Sequence, residues 1–301
     1  MSASRASIAA WKPAAASLLL IVACLVAAQD VRAADERVGA TEAIEKARAL
    51  ERDGHAEDAY VYLYQFTTDN EDLARDASIL LEISRLSPDA EESVDLLEQA
   101  VEAARDAATA SSAREMLGDY LYARGSYLEA AEQYGAAAER APDRDEEAIL
   151  LKRAASMLAA GDAMAAERAY RDIKGRGSAP SEATAWAMLG LGRALVARGE
   201  LAEAADEFET LADAYPEHEA RPQALAGAAG ARVALGQTAT ARLSLETLVA
   251  EYGTTYEAVL AREDLHSLPA DTASVAESTP DSLEQRTPEG GPARGAGAGS
   301  E

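Results

Sequence analysis

A glycine followed five residues later by an alanine recurs along this chain at nearly constant spacing, and no other feature limits its possible folds so strongly. The pair stands at Gly54/Ala59, Gly125/Ala130, Gly161/Ala166, Gly199/Ala204 and Gly236/Ala241. The last four glycines are separated by 36, 38 and 37 residues, and the gap of 71 from Gly54 to Gly125 leaves room for one more unit. A segment around Leu81 and Leu97 fills that gap, with Pro88 at the glycine position and Ser93 at the alanine position. Other positions keep the same register. Seven residues before each glycine lies a small residue: Ala47, Gly118, Ala154, Gly192 and Ala229. Four residues after each alanine comes a large one (Leu63, Tyr134, Tyr170, Phe208, Leu245), and three further on stand Phe66, Ala137, Ile173, Leu211 and Leu248. Self-similarity at such a period marks stacked structural repeats.

Between successive glycines the apolar residues fall at helical spacing in two runs, which describes a helical hairpin. The glycine sits where the first helix ends, in a left-handed cap that costs other residues about 1–2 kcal/mol. The small residue of the first helix and the alanine of the second let the two backbones approach. The large residue of the second helix then fills the space between neighbouring hairpins. Pro142, Pro180 and Pro216 close three units, where a helix must stop. A lone hairpin cannot bury both of its faces, so the units must stack into one core.

These spacings and residue types resemble the tetratricopeptide repeat (TPR) family. The nearest unit is Met188–Leu191–Gly192–Leu195–Ala204–Phe208–Pro216, followed by Leu117–Gly118–Leu121–Ala130–Tyr134–Ala137–Pro142. The resemblance implies an all-α fold, a right-handed superhelix (α-solenoid) of about six hairpins, at 40–72, 73–110, 111–146, 147–183, 184–220 and 221–260. The stretch Glu257–Leu268 is expected to continue as a helix that shields the last hairpin. The phrases Tyr215-Pro216-Glu217 and Glu251-Tyr252-Gly253-Thr254-Thr255-Tyr256-Glu257-Ala258 resemble the TPR regions of two envelope families, the periplasmic Tol–Pal coordinators and the lipoproteins of outer-membrane barrel assembly.

The repeat region, 34–268, is flanked by segments of different character. Arg5 and Lys12 precede an apolar run from Ala14 to Ala28, too short to span a bilayer comfortably and of the length of a signal-peptide core. Residues 1–33 therefore read as an export signal. Val31-Arg32-Ala33 offers a peptidase site that would leave Ala34 first, whereas Ile21-Val22-Ala23-Cys24 resembles a lipobox, which would lipidate Cys24 and tether the chain to a membrane. An uncleaved anchor is the third route; all lead out of the cytoplasm, to the periplasm or to an outer-membrane lipoprotein. At the other end, residues 269–301 gather Pro269, Pro280, Pro288 and Pro292 with glycines, Ser, Thr and acids, and read as a disordered tail.

Composition narrows the function. The 301 residues hold 53 Asp plus Glu against 28 Lys plus Arg, a formal charge of −25. Residues 1–33 carry a net +2 (Arg5, Lys12 and Arg32 against Asp30), which leaves −27 on the remainder. Such a surface repels phosphate backbones, so a nucleic-acid partner is not expected. One cysteine and three histidines leave little for a metal centre or a nucleophilic triad, and no phosphate-loop or Gly-x-Ser-x-Gly motif is present. Lys174-Gly175-Arg176-Gly177-Ser178 reads as a loop between hairpins, and His55, His218 and His266 as surface residues. No cofactor, no metal and no catalysis are expected; an all-α enzyme and a small-ligand receptor are the competing classes.

The TPR resemblance implies a concave face lined by the first helix of each hairpin, where a peptide or partner protein would lie. The register then gives candidate groove residues: Glu115, Asp119 and Tyr122; Leu151, Ala155 and Leu158; Trp186, Leu189, Arg193 and Val196; Gln223, Ala226 and Val233. With Glu115 and Asp119 at its start, the groove is expected to be apolar and edged by acid, suiting a peptide with basic residues. The cluster Tyr60, Tyr62, Leu63, Tyr64 and Phe66 places aromatics on two faces of one helix, one pair of them expected in the core.

Overall fold

A computed structural model describes residues 39–176 and 181–269 of the chain, and these form helices joined by short turns. Six hairpins follow one another: α1 (39–52) with α2 (Ala56–Asp69), α3 (Ala77–Leu86) with α4 (Ala90–Ala103), α5 (Ala107–Ala123) with α6 (Tyr127–Ala138), α7 (Asp143–Ala159) with α8 (Ala163–Arg176), α9 (Glu182–Arg198) with α10 (Leu201–Ala214), and α11 (Arg221–Ala234) with α12 (Thr238–Glu251). A single helix, α13 (Tyr256–Ser267), closes the stack. The expected export signal with Cys24, and the expected tail beyond Pro269, lie outside the described residues.

The glycines do what their spacing requires. Gly54, Gly125, Gly161, Gly199 and Gly236 all have φ between +75° and +88°. At each, the next residue donates its N–H back to the carbonyl five residues earlier: His55 to Leu50, Ser126 to Leu121, Asp162 to Met157, Glu200 to Leu195 and Gln237 to Arg232. One local device thus ends five first helices and turns the chain by the same amount each time.

Packing follows the register. Each second helix lies between its own first helix and the first helix of the next unit. Tyr134 covers Gly118, and a methyl group on that glycine would fall 2.7 Å from the ring. Tyr170 covers Gly190 of the following hairpin, at 2.3 Å by the same measure. Phe208 is held between Gly192 of its own hairpin and Gly227 of the next. The glycines are therefore half of each contact: the ring of one helix occupies the space where the other has no side chain. Consecutive first helices also touch (α7 with α9, α9 with α11, α11 with α13), whereas consecutive second helices do not pack to a comparable extent. The first helices accordingly line the inner side of the curve.

The eroded second unit is a true hairpin. Pro88 ends the turn in place of glycine, and α3 is shortened to 10 residues. Ser93 stands at the alanine position, fully buried, and its hydroxyl donates to the Ser84 and Asp89 carbonyls at 3.0 and 2.8 Å. A small residue with a satisfied hydroxyl thus replaces a methyl group. Of the α2 aromatics, Tyr60 and Tyr62 are half-buried and Tyr64 is exposed; Tyr60 donates to Glu92, and Lys46 lies 4.2 Å from the Tyr62 ring centre.

Ion pairs one repeat apart offset the acidity. Arg48 donates to Glu82, Arg85 to Glu51, Lys174 to Glu207 and Arg176 to Glu146, and within α3 Arg85 also donates to Glu82. Lys174 and Arg176 belong to the last turn of α8, so that glycine-containing stretch is helix as far as Arg176, where a loop was expected. Glu82 is the buried member, 4 % exposed. Burial alone would raise its carboxyl, but hydrogen bonds from Arg48 and Arg85 prevail and hold it below its ordinary value of 4.5. Its contribution is therefore complete above that value and disappears as pH falls through the lowered one. Urea unfolding of Glu82→Gln should show a smaller loss of stability between neutral pH and about pH 3 than the parent chain shows. An identical acid limb in both would mean that Glu82 holds no charge in the fold.

Candidate functional site

The inner face begins with charge already neutralised. Lys152 on α7 donates to Glu115 at 2.8 Å and to Asp119 at 2.8 and 3.0 Å, and Tyr134 donates to Asp119 at 2.6 Å. Burial works against the Lys152 ammonium, yet these carboxylates hold its pKa above the ordinary value. Burial and the Asp119 hydrogen bond both push the Tyr134 phenol up. The acidic edge expected from Glu115 and Asp119 is thus closed by Lys152, which lies 37 and 33 residues further on. In a chain with few lysines, that one-repeat offset is the signal that sequence reasoning missed.

The lip of the inner face nearest the hairpin turns is apolar. Tyr122, Leu158, Val196 and Val233 each lie three residues before a capping glycine, in four consecutive hairpins. Tyr122, Val196 and Val233 are exposed at 40–42 %, and Leu158 is half-buried. These candidates hold one register position on four consecutive hairpins, a stripe along the repeat axis by register. Leu151 is half-buried against the core. Leu189 is a correction: it is 1 % exposed and belongs to the core. Its side chain joins the buried cluster that α9 shares with α7 and α11, the first helices that touch it on either side. Trp186 is half-buried too, its ring edge-on to His218 at 5.4 Å, and His218 also meets Tyr215. His218 was expected at the surface; instead it packs, its Nδ1 accepting the Ala220 N–H.

Arg193 stands in the open part of the groove. Its guanidinium donates to the Gln223 side chain at 2.7 Å and meets no carboxylate. Two depressions share Arg193 and Gln223 as walls and open on the inner face. One, of about 400 Å³, is lined by Val196, Leu201, Phe208, Gly227, Gly230 and Ala231. The other, of about 440 Å³, is lined by Ala226, Leu245, Tyr256 and Leu260, with Glu257 and Asp264 at its far edge. The contribution of α13 to this wall was not foreseen, because that helix was read only as a cap. Among the described residues, no group of His, Cys, Asp and Glu is placed to hold a metal ion, and no helix is long and apolar enough to cross a membrane.

Stacked helical hairpins, each closed by a left-handed glycine and locked by ring-on-glycine contacts, define an α-solenoid of the tetratricopeptide-repeat type. No family model and no curated protein matches the chain. Solved structures do. PilW, a widely conserved type IV pilus biogenesis factor, superposes with a TM-score of 0.56 at 14 % identity, over 74 % of this chain and 98 % of its own. The C-terminal part of a TPR protein from Cytophaga hutchinsonii gives 0.56 at 14 %, over 77 % and 97 %. PilF of Pseudomonas aeruginosa gives 0.54 at 13 %, over 76 % and 99 %. At such identities the likeness establishes the TPR fold of this chain.

Proposed function

We propose that this chain is a non-catalytic protein-interaction scaffold of the bacterial cell envelope, binding a peptide or a partner protein along its inner face. The observation that carries this reading is the apolar stripe of Tyr122, Leu158, Val196 and Val233, in equal register on four hairpins of an otherwise acidic molecule. An apolar stripe that the fold leaves exposed at Tyr122, Val196 and Val233 and half-covered at Leu158 is the surface expected where another chain docks. The TPR folds of PilW and PilF, one of them a pilus biogenesis factor, agree with a role in assembly. Export follows from the basic head and apolar run of residues 1–33, with Cys24 as the alternative point of membrane attachment.

The test places a photo-crosslinking amino acid at Val196, at Val233 and, as the outer-face control, at Glu246, in cells that make the full chain. Both inner positions should give one adduct of equal size from the envelope fraction, and Glu246 none. The intact mass of the recovered chain should correspond to a start at Ala34 or at a lipidated Cys24. Adducts of equal yield at all three positions would overturn the groove reading, and full-length chain in the cytoplasm would overturn the envelope assignment.

A further inference from the structure

The hydroxyl of Tyr170 has no hydrogen-bond partner among the described residues, although its register equivalent, Tyr134, donates to Asp119. The reason lies in the first helix beneath it. Where the third hairpin has Asp119, the fourth has Ala155, so the Tyr170 ring keeps its place over Gly190 while its hydroxyl is left over. The ring lies over Gly190, one helical turn before Arg193 on the same face of α9, which brings the hydroxyl to the neighbourhood of that guanidinium. Burial pushes the phenol up to about 12, and Arg193 acts in the opposite direction. Arg193 itself occupies the position of Asp119 on the fifth hairpin and meets only the neutral Gln223. Elsewhere on the inner face the cation is consumed: Lys152 is held by two carboxylates. Arg193 and Tyr170 thus present a cationic and a neutral donor to which the fold supplies no carboxylate.

Apolar space lies on both sides of this pair. The depression under Val196 and Phe208 is kept open by Gly230, which has nothing within 4 Å of the place a Cβ would take. A glycine inside a helix costs roughly 0.5–1 kcal/mol relative to alanine, and here no neighbour requires it. The depression under Tyr256 and Leu260 ends at Glu257 and Asp264.

We infer that this stretch of the groove takes a peptide segment in which an Asp or Glu side chain, flanked on both sides by large apolar residues, docks its carboxylate on Arg193 and the Tyr170 hydroxyl. The apolar neighbours fill the two depressions. A basic residue toward the α13 end meets Glu257 and Asp264, which fixes the direction of the segment. This reverses the charge expected from Glu115 and Asp119 alone. It rests on the inner face being a peptide groove.

The probe is a phage-displayed library of random 12-residue peptides selected on the full chain, with enriched peptides measured by fluorescence anisotropy. The enriched peptides should share an acidic residue between apolar ones. Their Kd should rise about tenfold or more with Arg193→Gln and several-fold with Tyr170→Phe, in keeping with a hydrogen-bonded carboxylate. Gly230→Leu, which fills open space, should also weaken them while leaving the thermal melt intact. Enriched peptides without a carboxylate, or with affinity unchanged by Arg193→Gln, overturn the inference. If those peptides still lose affinity with Gly230→Leu, the groove reading stands without it. If no peptide is enriched, or none responds to any of the three substitutions, the groove reading falls as well.

Discussion

Phe208→Ala should lower the unfolding free energy by about 3–5 kcal/mol. The ring is 2 % exposed and lies between the backbones of α9 and α11, against Gly192 and Gly227. Neither glycine has a side chain that can move into the space left behind, so the cavity persists and the cost falls at the upper part of the usual range. The residue also couples two units. In a stack whose stability is a sum of repeats and nearest-neighbour interfaces, loosening this contact should separate α11–α13 from the hairpins before it. Urea unfolding followed by circular dichroism should therefore show an earlier and broader transition. A loss below about 1 kcal/mol would mean that the ring is not the link between those helices.

Leu189→Ala should cost about 2–5 kcal/mol, although its register position belongs to the groove. The side chain is 1 % exposed and sits in the core shared by the fourth to sixth hairpins and α13. Trp186→Ala, one helical turn away, should cost less than Leu189→Ala, because the indole is only half-buried and meets His218 edge-on. Thermal melts of the two variants, run side by side, decide the matter. If Leu189→Ala melts like the parent chain, the first helices stand further apart than the fold requires, and the middle of the groove is open.

Much of this architecture was legible in the residues because it depends on local chemistry. A left-handed cap admits glycine far more readily than any other residue, so the five cap glycines mark the turns without reference to the rest of the chain. Small residues seven positions earlier and large ones four after the alanine mark which helix faces meet, as Gly118 with Tyr134 and Gly192 with Phe208 show. Even the eroded unit could be placed, since Ser93 retains the small volume that the alanine position demands. The stripe of Tyr122, Leu158, Val196 and Val233 was visible for the same reason: a fixed offset from the glycine is a fixed place on the surface.

What the sequence could not disclose were the relations set by the approach of one hairpin to the next. Periodicity assigns a residue to a helix face, but how closely two first helices approach decides whether that face is open. Leu189 is covered on those grounds, while Arg193, four residues on, remains accessible. Charge balance is likewise a matter of distance: Lys152 closes the acidic pair of Glu115 and Asp119 only because stacking brings residues 33 and 37 positions apart to 2.8 Å. The same stacking leaves Tyr170 and Arg193 without a carboxylate. Turn chemistry and side-chain volume are properties of single residues and of short spacings, so the chain itself fixes the repeat. Burial and electrostatic pairing depend on separations in space, so only the assembled solenoid decides which groove residues are free to meet a partner.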